Sequence, residues 1–395
     1  MSKSKKEEKK VTIFVVHTQE EEEDDQFFPD DDDDDCVQKQ YLTRSKKELP
    51  KVPKIPISKR FLIKKGSPIT DLKSLIMAFD HPKADQKQKE FVETLIELDN
   101  MIGMTSFKEQ IINQILFFVQ DMQEPGLFLH TVLTGPPGSG KTSAINILAK
   151  IYSKMGILET DKVVRADRAS LIGKWLGSTA IKTKEVLESA KGGVLLLDEV
   201  YALGNKESSD SFSKECIDTI NQYLSEHVDD FICVIAGYKD QINECFFSYN
   251  PGLERRFPWR FTIDAYAHEE LCKIMINQLD ISGWKFDKLI DEAYISGILK
   301  NNKDNFKGNG GDTKNFLDKC KIAHARRVFT LQTPEEPITL KKRRKSRTNP
   351  TDSASPNLGT KTTKILMKED IEAGLKYYLE SRKKIEDTSY LHMYS

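Results

Sequence analysis

Eight consecutive residues, Gly135-Pro136-Pro137-Gly138-Ser139-Gly140-Lys141-Thr142, constrain the fold more than any other part of the chain. They follow a short stretch, His130 to Leu133, that reads as a strand, and they open a helical pattern over Thr142 to Lys154. That is the setting in which G-x-x-x-x-G-K-[ST] wraps phosphates. The glycines let backbone N–H groups turn inward in conformations that a side chain would obstruct. Lys141 then supplies a point charge to the β and γ phosphates, and the Thr142 hydroxyl ligates Mg²⁺. The pattern therefore implies ATP and Mg²⁺ as cofactors.

A βα alternation surrounds this loop. Val163 to Ala166, Val194 to Leu197, Phe231 to Ala236 and Phe261 to Ile263 read as strands; Thr179 to Ala190 and Phe212 to Leu224 read as helices. Short buried strands separated by helices predict an α/β fold with a parallel sheet covered on both faces. Upstream, helical spacing begins at Thr70 or Asp71 and continues over Lys89 to Leu98 and Ser106 to Val119. From His268 onward only helical patterns are legible: Glu269 to Leu279, Leu289 to Leu299, Thr313 to Val328 and Lys368 to Glu386. They predict a separate small helical lid.

The strand Val194 to Leu197 runs into Asp198-Glu199. A carboxylate at a strand's C-terminal edge can hold a metal's water shell, and a second can polarise an attacking water. Asp198 is accordingly assigned to Mg²⁺ and Glu199 to the general base.

The rest of the chain is less structured in pattern. Twelve of the sixteen residues from Glu20 to Asp35 are acidic, and residues 1 to about 60 read as a mostly disordered tail leading into a proline-containing linker. KKRRKSR at 341–347 lies in a Pro/Ser/Thr/Asn-rich insertion. Sixty basic against 61 acidic residues cancel, so bulk charge marks neither a nucleic-acid nor a membrane binder. Six cysteines at least twelve residues apart give no zinc half-site, and no apolar run is long enough to span a membrane. The organisation expected is 1–69 acidic tail and linker, 70–97 helical segment, 98–265 ATPase domain, 266–331 lid, 332–363 basic insertion and 364–395 a C-terminal helix joining the lid.

With these motifs in order, GPPGSGKT, RADRASLIGKWLGST at 165–179, AKGGVLLLDEVYAL at 190–203 and VIAGYKDQINECFFSYNPGLERRF at 234–257, the chain resembles the CbxX/CfqX group of AAA+ ATPases. That group includes red-type Rubisco activase and stage V sporulation protein K-like proteins. The resemblance covers about Leu98 to Val328 and implies a homo-oligomeric ring, usually a hexamer, that remodels a protein client. It places Arg256, with Arg255 as second candidate, as a cation reaching a neighbour's γ-phosphate, and Lys174-Trp175 on a loop facing the ring's channel; a Trp packed into the core is the alternative. It sets Ile102-Gly103 beside the adenine, where a helix-start turn is the alternative. Tyr238 falls at a sensor position, to hold a water or pack as a buried aromatic. Relatives carry G-N-x-R at the start of a lid helix, whereas this chain has Gly308-Asn309-Gly310-Gly311, which leaves Lys314 as the candidate substitute.

Two rival classes stay open at this stage. One is a nucleic-acid motor or loader using Lys174 and 341–347; the other is a slowly hydrolysing nucleotide-gated scaffold. The expected setting is intracellular, cytoplasmic or nuclear and not secreted, and a virus-encoded protein acting in a host cell is compatible with the group.

Overall fold

The computed structural model describes residues 56–64, 68–124, 126–175, 177–204, 211–332 and 364–389. The acidic run and KKRRKSR lie outside the described residues.

Three helices precede the sheet: α1 (Leu72–Phe79), α2 (Gln86–Asn100) and α3 (Thr105–Val119). Asp71 starts α1 by accepting the Ser74 N–H at 2.7 Å while Ser74 returns a bond to the Asp71 N–H, a reciprocal cap. Asp85 caps α2 by accepting the Gln88 N–H, without a return bond. Ile57 and Phe61, within the stretch expected to be tail and linker, are buried. The Phe61 ring lies 5.4 Å from Phe79 and 4.8 Å from Phe91, and burying such a ring is worth about 2 kcal/mol. Two apolar residues four apart are too short a pattern to announce a packed segment, so this anchoring is visible only in three dimensions.

The alternation then unfolds as β1 (Thr131–Thr134), α4 (Lys141–Met155), β2 (Val163–Ala166), α5 (Arg168–Leu171), α6 (Ser178–Ser189), β3 (Val194–Asp198), α7 (Ser211–Glu226), β4 (Ile232–Gly237), α8 (Lys239–Cys245), α9 (Pro251–Glu254) and β5 (Trp259–Thr262). All five strands are parallel, in the order β2-β3-β4-β1-β5. Side chains alternate between faces as the two-residue period demands. Leu133, Leu196, Val234 and Phe261 pack with α1 to α4, whereas Val132, Leu195, Leu197 and Ile235 pack with α6 and α7. Because β1 lies inside the sheet between β4 and β5, the loop after it emerges at the C-terminal edge, one strand from the end of β3. In open α/β sheets that edge is where ligands bind.

The C-terminal part has its own core. α10 (His268–Ile281), β6 (Lys285–Phe286), α11 (Glu292–Asn301), α12 (Asn309–Gln332), β7 (Ile365–Leu366) and α13 (Lys368–Ser389) bury Leu271, Met275, Leu299, Phe316, Leu366 and Tyr378 together. Asp370, 1% exposed, joins α13 to α12 by accepting two bonds from Arg327 at 2.8 and 3.0 Å. Three expectations need correction here. The part after His268 is not purely helical, because β6 and β7 pair in parallel; two-residue strands have no readable period, and their partners lie far apart in sequence. α11 starts at Glu292 rather than Leu289, because Asp291 caps it through the Tyr294 N–H and Leu289 is exposed. α12 starts at Asn309 rather than Thr313: the Asp312 carboxylate accepts the Gly308 N–H at 2.6 Å and starts the helix despite two glycines of poor propensity.

His130 sits fully buried just before β1, its Nδ1 accepting the Cys233 N–H at 3.1 Å, with the rings of Phe128, Phe231 and Phe257 around it. Burial pushes its pKa down to about 3, and the nearby Arg256 charge adds to the shift. The unfolded chain, with an ordinary imidazole near 6.5, binds this proton more readily than the folded one, so stability falls as pH drops below 6.5. Between pH 7 and 5 the expected loss is about 2 kcal/mol. Urea midpoints measured across that range should fall for the wild type and fall less for His130→Gln; parallel curves would refute the assignment.

Candidate nucleotide site

The phosphate loop is held from behind through its carbonyls. Lys141 Nζ donates to Gly135 O and Pro136 O, both at 2.9 Å. Asn309 Nδ2 donates to Pro137 O at 3.0 Å, the Gly310 N–H to Gly138 O at 3.1 Å, and the Tyr266 hydroxyl to Ser139 O at 2.7 Å. With these carbonyls tied, the N–H groups of Gly138, Ser139 and Gly140 find no acceptor among the described residues. Gly138 (φ +67°) and Gly140 (φ +87°) adopt left-handed conformations that only glycine enters freely. Gly140 is the N-cap of α4 and gives its first turn no side-chain cap, so those helical N–H groups also stay free. The Ser139 hydroxyl is buried without a partner. Free N–H groups, a helix N-terminus and a lysine suit a polyphosphate.

Lys141 is half-buried, and desolvation holds its pKa below the ordinary lysine value against the opposing pull of Asp198 and Glu199. Its ammonium also lies 5.4 Å from the centre of the Tyr238 ring. Tyr238 is 37% exposed, so the buried-aromatic alternative for this residue does not hold.

Asp198 ends β3, and Arg165 on β2 is ion-paired with it. Glu199 follows in a left-handed conformation (φ +52°), which costs a non-glycine residue about 1 kcal/mol and turns its side chain out of the strand's alternation. The Tyr201 hydroxyl, pushed up to about 12 by burial and by its hydrogen bond with Glu199, stays protonated and steadies that carboxylate. Asp198 and Glu199, with Asp167, Arg168 and Ile172, line an open cleft of about 430 Å³. Thr142 is exposed on the first turn of α4. A hydroxyl with one or two carboxylates is the sparse protein donor set that Mg²⁺ uses when phosphate oxygens and water complete its shell. No cluster of three or more metal-binding side chains exists among the described residues.

Ile102 and Gly103 form the turn into α3, and both are half-buried. A Cβ on Gly103 (φ +64°) would stand 2.7 Å from Glu270 Oε1 and 2.9 Å from the Tyr266 ring, so only glycine permits this approach. Gly311 borders open space, and Lys314 is exposed.

Arg256 stands elsewhere. Its Nη1 donates to Gly252 O at 2.6 Å and its Nε to Ser225 Oγ at 2.8 Å. Thr131 of β1 is in register with Trp259 of β5, so Arg256 and its neighbour His130 lie at the N-terminal edge of the sheet. The phosphate loop leaves the other edge, about 10 Å of strand away. Arg256 is therefore not part of its own chain's phosphate site. Arg255 beside it is exposed.

Trp175 is 77% exposed, which removes the core alternative. Its backbone is pinned by Ser178, whose Oγ accepts the Trp175 N–H at 3.1 Å and donates to its carbonyl at 2.7 Å. Lys174 is exposed next to it.

Arg165, Tyr201, Tyr266 and Asn309 support the site without having stood out as candidate residues in the sequence. Tyr201 stood inside a motif already singled out, two residues after Glu199, and could have been found; Arg165 meets Asp198 only through the register of β2 on β3. Tyr266 carried no signal, because its partners come from far along the chain.

A family model described as "ATPase family associated with various cellular activities (AAA)" matches residues 131–263. A putative cfxQ-like protein of Acanthamoeba polyphaga mimivirus is 44% identical over 60% of this chain and 58% of its own length. The CfxQ homologue of Cyanidium caldarium is 31% identical over 64% of this chain and 90% of its own length. The chloroplastic ribulose bisphosphate carboxylase/oxygenase activase of Cyanidioschyzon merolae is 31% identical over 64% and 88%. The chain is a P-loop ATPase of the AAA+ class, and it belongs to the CbxX/CfqX group. It spans little more than half of the mimivirus relative. No helix among its described residues is long and apolar enough to cross a membrane.

Proposed function

We propose that this chain hydrolyses Mg-ATP at a site shared by two neighbouring copies in a ring, and that the cycle remodels a protein client. The observation that carries the first part is the meeting, at one sheet edge, of free loop N–H groups and Lys141 with Asp198 and Glu199. Bound Mg²⁺ would neutralise phosphate charge and orient the terminal phosphate, held by Thr142 and, through water, Asp198. Lys141 binds the β and γ phosphates, Glu199 takes the proton of the attacking water, and Ile102 and Gly103 flank the base. Lys314 is one helical turn beyond Gly311 and is retained as a lid-side cation.

Arg256 belongs to the same proposal as the neighbour's finger, because its place at the opposite edge suits service to an adjacent copy and not to its own. Arg255 is the second cation on that face. Steady-state phosphate release by the assembled protein tests the hydrolase reading. Turnover that depends on Mg²⁺ and disappears in Asp198→Asn supports it; no turnover at saturating Mg-ATP would contradict it and favour the scaffold.

The remodelling part rests on Lys174 and Trp175, an exposed cation and indole on a loop whose backbone is fixed. An indole gives a sliding polypeptide a large, rigid contact at low entropic cost. The similarity to an activase of ribulose bisphosphate carboxylase/oxygenase supports a protein as the client. Trp175→Ala should change stability by no more than about 0.5 kcal/mol, and so shift Tm by only about 1 to 2 °C. Stimulation of the ATPase by an unfolded polypeptide such as reduced casein should be lost. A Tm drop near 10 °C, or undiminished stimulation, would refute the role. The proposed organisation is the ATPase domain over 98–265 and the lid over 266–331, with β7 and α13 added to the lid.

A further inference from the structure

We propose that Asn309 is a positioning residue that couples the phosphate loop to the lid, a task for which neither Gly311 nor the exposed Lys314 is built. The proposal rests on the nucleotide site argued above. Asn309 is 2% exposed and left-handed (φ +50°), a conformation that asparagine tolerates better than most residues. A helix-starting asparagine ordinarily spends its side-chain oxygen on its own helix's N–H groups. This one does not. Its Oδ1 accepts the N–H of Tyr266 at 3.1 Å, 43 residues away, and its Nδ2 donates to Pro137 O at 3.0 Å and Lys307 O at 3.2 Å. One amide thus joins the phosphate loop, the segment leading into α10 and the turn that opens α12.

The neighbouring contacts make this joint rigid. Gly310 N–H and the Tyr266 hydroxyl hold the next two loop carbonyls, Gly138 O and Ser139 O. A Cβ on Gly138 would stand only 2.1 Å from Gly308 O, so loop and lid backbones are in direct contact. On the lid side, Gln278 of α10 donates to Gly310 O at 2.8 Å and accepts from Thr313 of α12 at 3.0 Å. Asp312 accepts the Gly308 N–H and an ion pair from Arg382 of α13. A shift of the Pro137 to Ser139 carbonyls on phosphate binding must therefore move α10 and α12 together, and α13 with them. The coupling is mechanical, made by hydrogen bonds to loop carbonyls, and needs no side chain on the phosphate itself.

Amide hydrogen exchange of the full chain, with and without Mg²⁺ and the slowly hydrolysed analogue ATPγS, tests this. In the wild type the analogue should slow exchange at 135–142 and also change it at 308–316. Asn309→Gly keeps the left-handed backbone but removes all three side-chain bonds. It should still respond at 135–142 but show a clearly smaller change at 308–316, with kcat falling roughly tenfold while analogue affinity changes by less than about threefold. Tyr266→Phe, lacking only the bond to Ser139 O, should fall between the two. Equal responses at 308–316 in the wild type and Asn309→Gly would overturn the coupling role, as would a wild type that responds at 135–142 alone. No wild-type response at 135–142 would remove the nucleotide reading, and the coupling with it.

Discussion

Glu199→Gln is expected to bind ATP as tightly as the wild type and to hydrolyse it about 10² to 10⁴ times more slowly. The amide keeps the size of the carboxylate and can still meet the Tyr201 hydroxyl, so the left-handed turn after Asp198 has no reason to change. What it loses is the ability to accept the proton of the attacking water. Lys141→Ala should behave in the opposite way and fail at binding. It removes a cation from the phosphates and the bonds that hold Gly135 O and Pro136 O. Charged hydrogen bonds are worth about 1.5 to 3 kcal/mol each, so a loss of one or both predicts an affinity at least about tenfold weaker. Binding of a fluorescent ATP analogue and phosphate release, measured for both variants, separate the two effects. Wild-type turnover in Glu199→Gln would remove Glu199 from the role of base.

Arg256→Ala should lose about 10³-fold or more in turnover, the magnitude that a planar, permanent cation supplies to a transferring phosphoryl group. Nucleotide affinity should stay near wild type, because Arg256 lies at the sheet edge away from its own phosphate loop. Arg255→Ala should cost less, since no described contact fixes its guanidinium. The bonds from Arg256 to Gly252 O and Ser225 Oγ orient the group and are worth about 1 kcal/mol each, so a small fall in Tm is also expected. Turnover, affinity and melting measured on one preparation distinguish a missing finger from a misfolded chain. Wild-type turnover in fully assembled Arg256→Ala protein would contradict the account.

The parts of this molecule that were legible in the sequence are those set by local periodicity or by a contiguous motif. Val194 to Leu197 announces a buried strand because four apolar residues in a row cannot face water on either side, and it is one. The loop at 135–142 is legible because its chemistry requires consecutive residues. The parallel sheet follows from strands separated by helices. What stayed hidden depends on distant partners. The pairing of Ile365 and Leu366 with Lys285 and Phe286 crosses the basic insertion. The start of α12 at Asn309 is decided by Asp312 and the phosphate loop, against the propensity of two glycines. The Arg165 to Asp198 pair needs the strand register, which sequence spacing alone does not supply. At the site the motif residues were therefore readable, while the groups that hold them in place were mostly not.

The central claim is that one active site is made from two copies, and covalently linked pairs of the chain test it most directly. In one pair, Lys141→Ala is placed in the first copy and Arg256→Ala in the second. In the other pair, both substitutions are placed in the same copy, beside an intact one. Both pairs carry the same two substitutions, so expression, assembly and total charge are matched. If Arg256 serves a neighbour's phosphates, the first pair retains interfaces with an intact phosphate loop facing an intact finger, and the second retains none. The account predicts ATP turnover in the first pair and almost none in the second; turnover in the second with a silent first would contradict it.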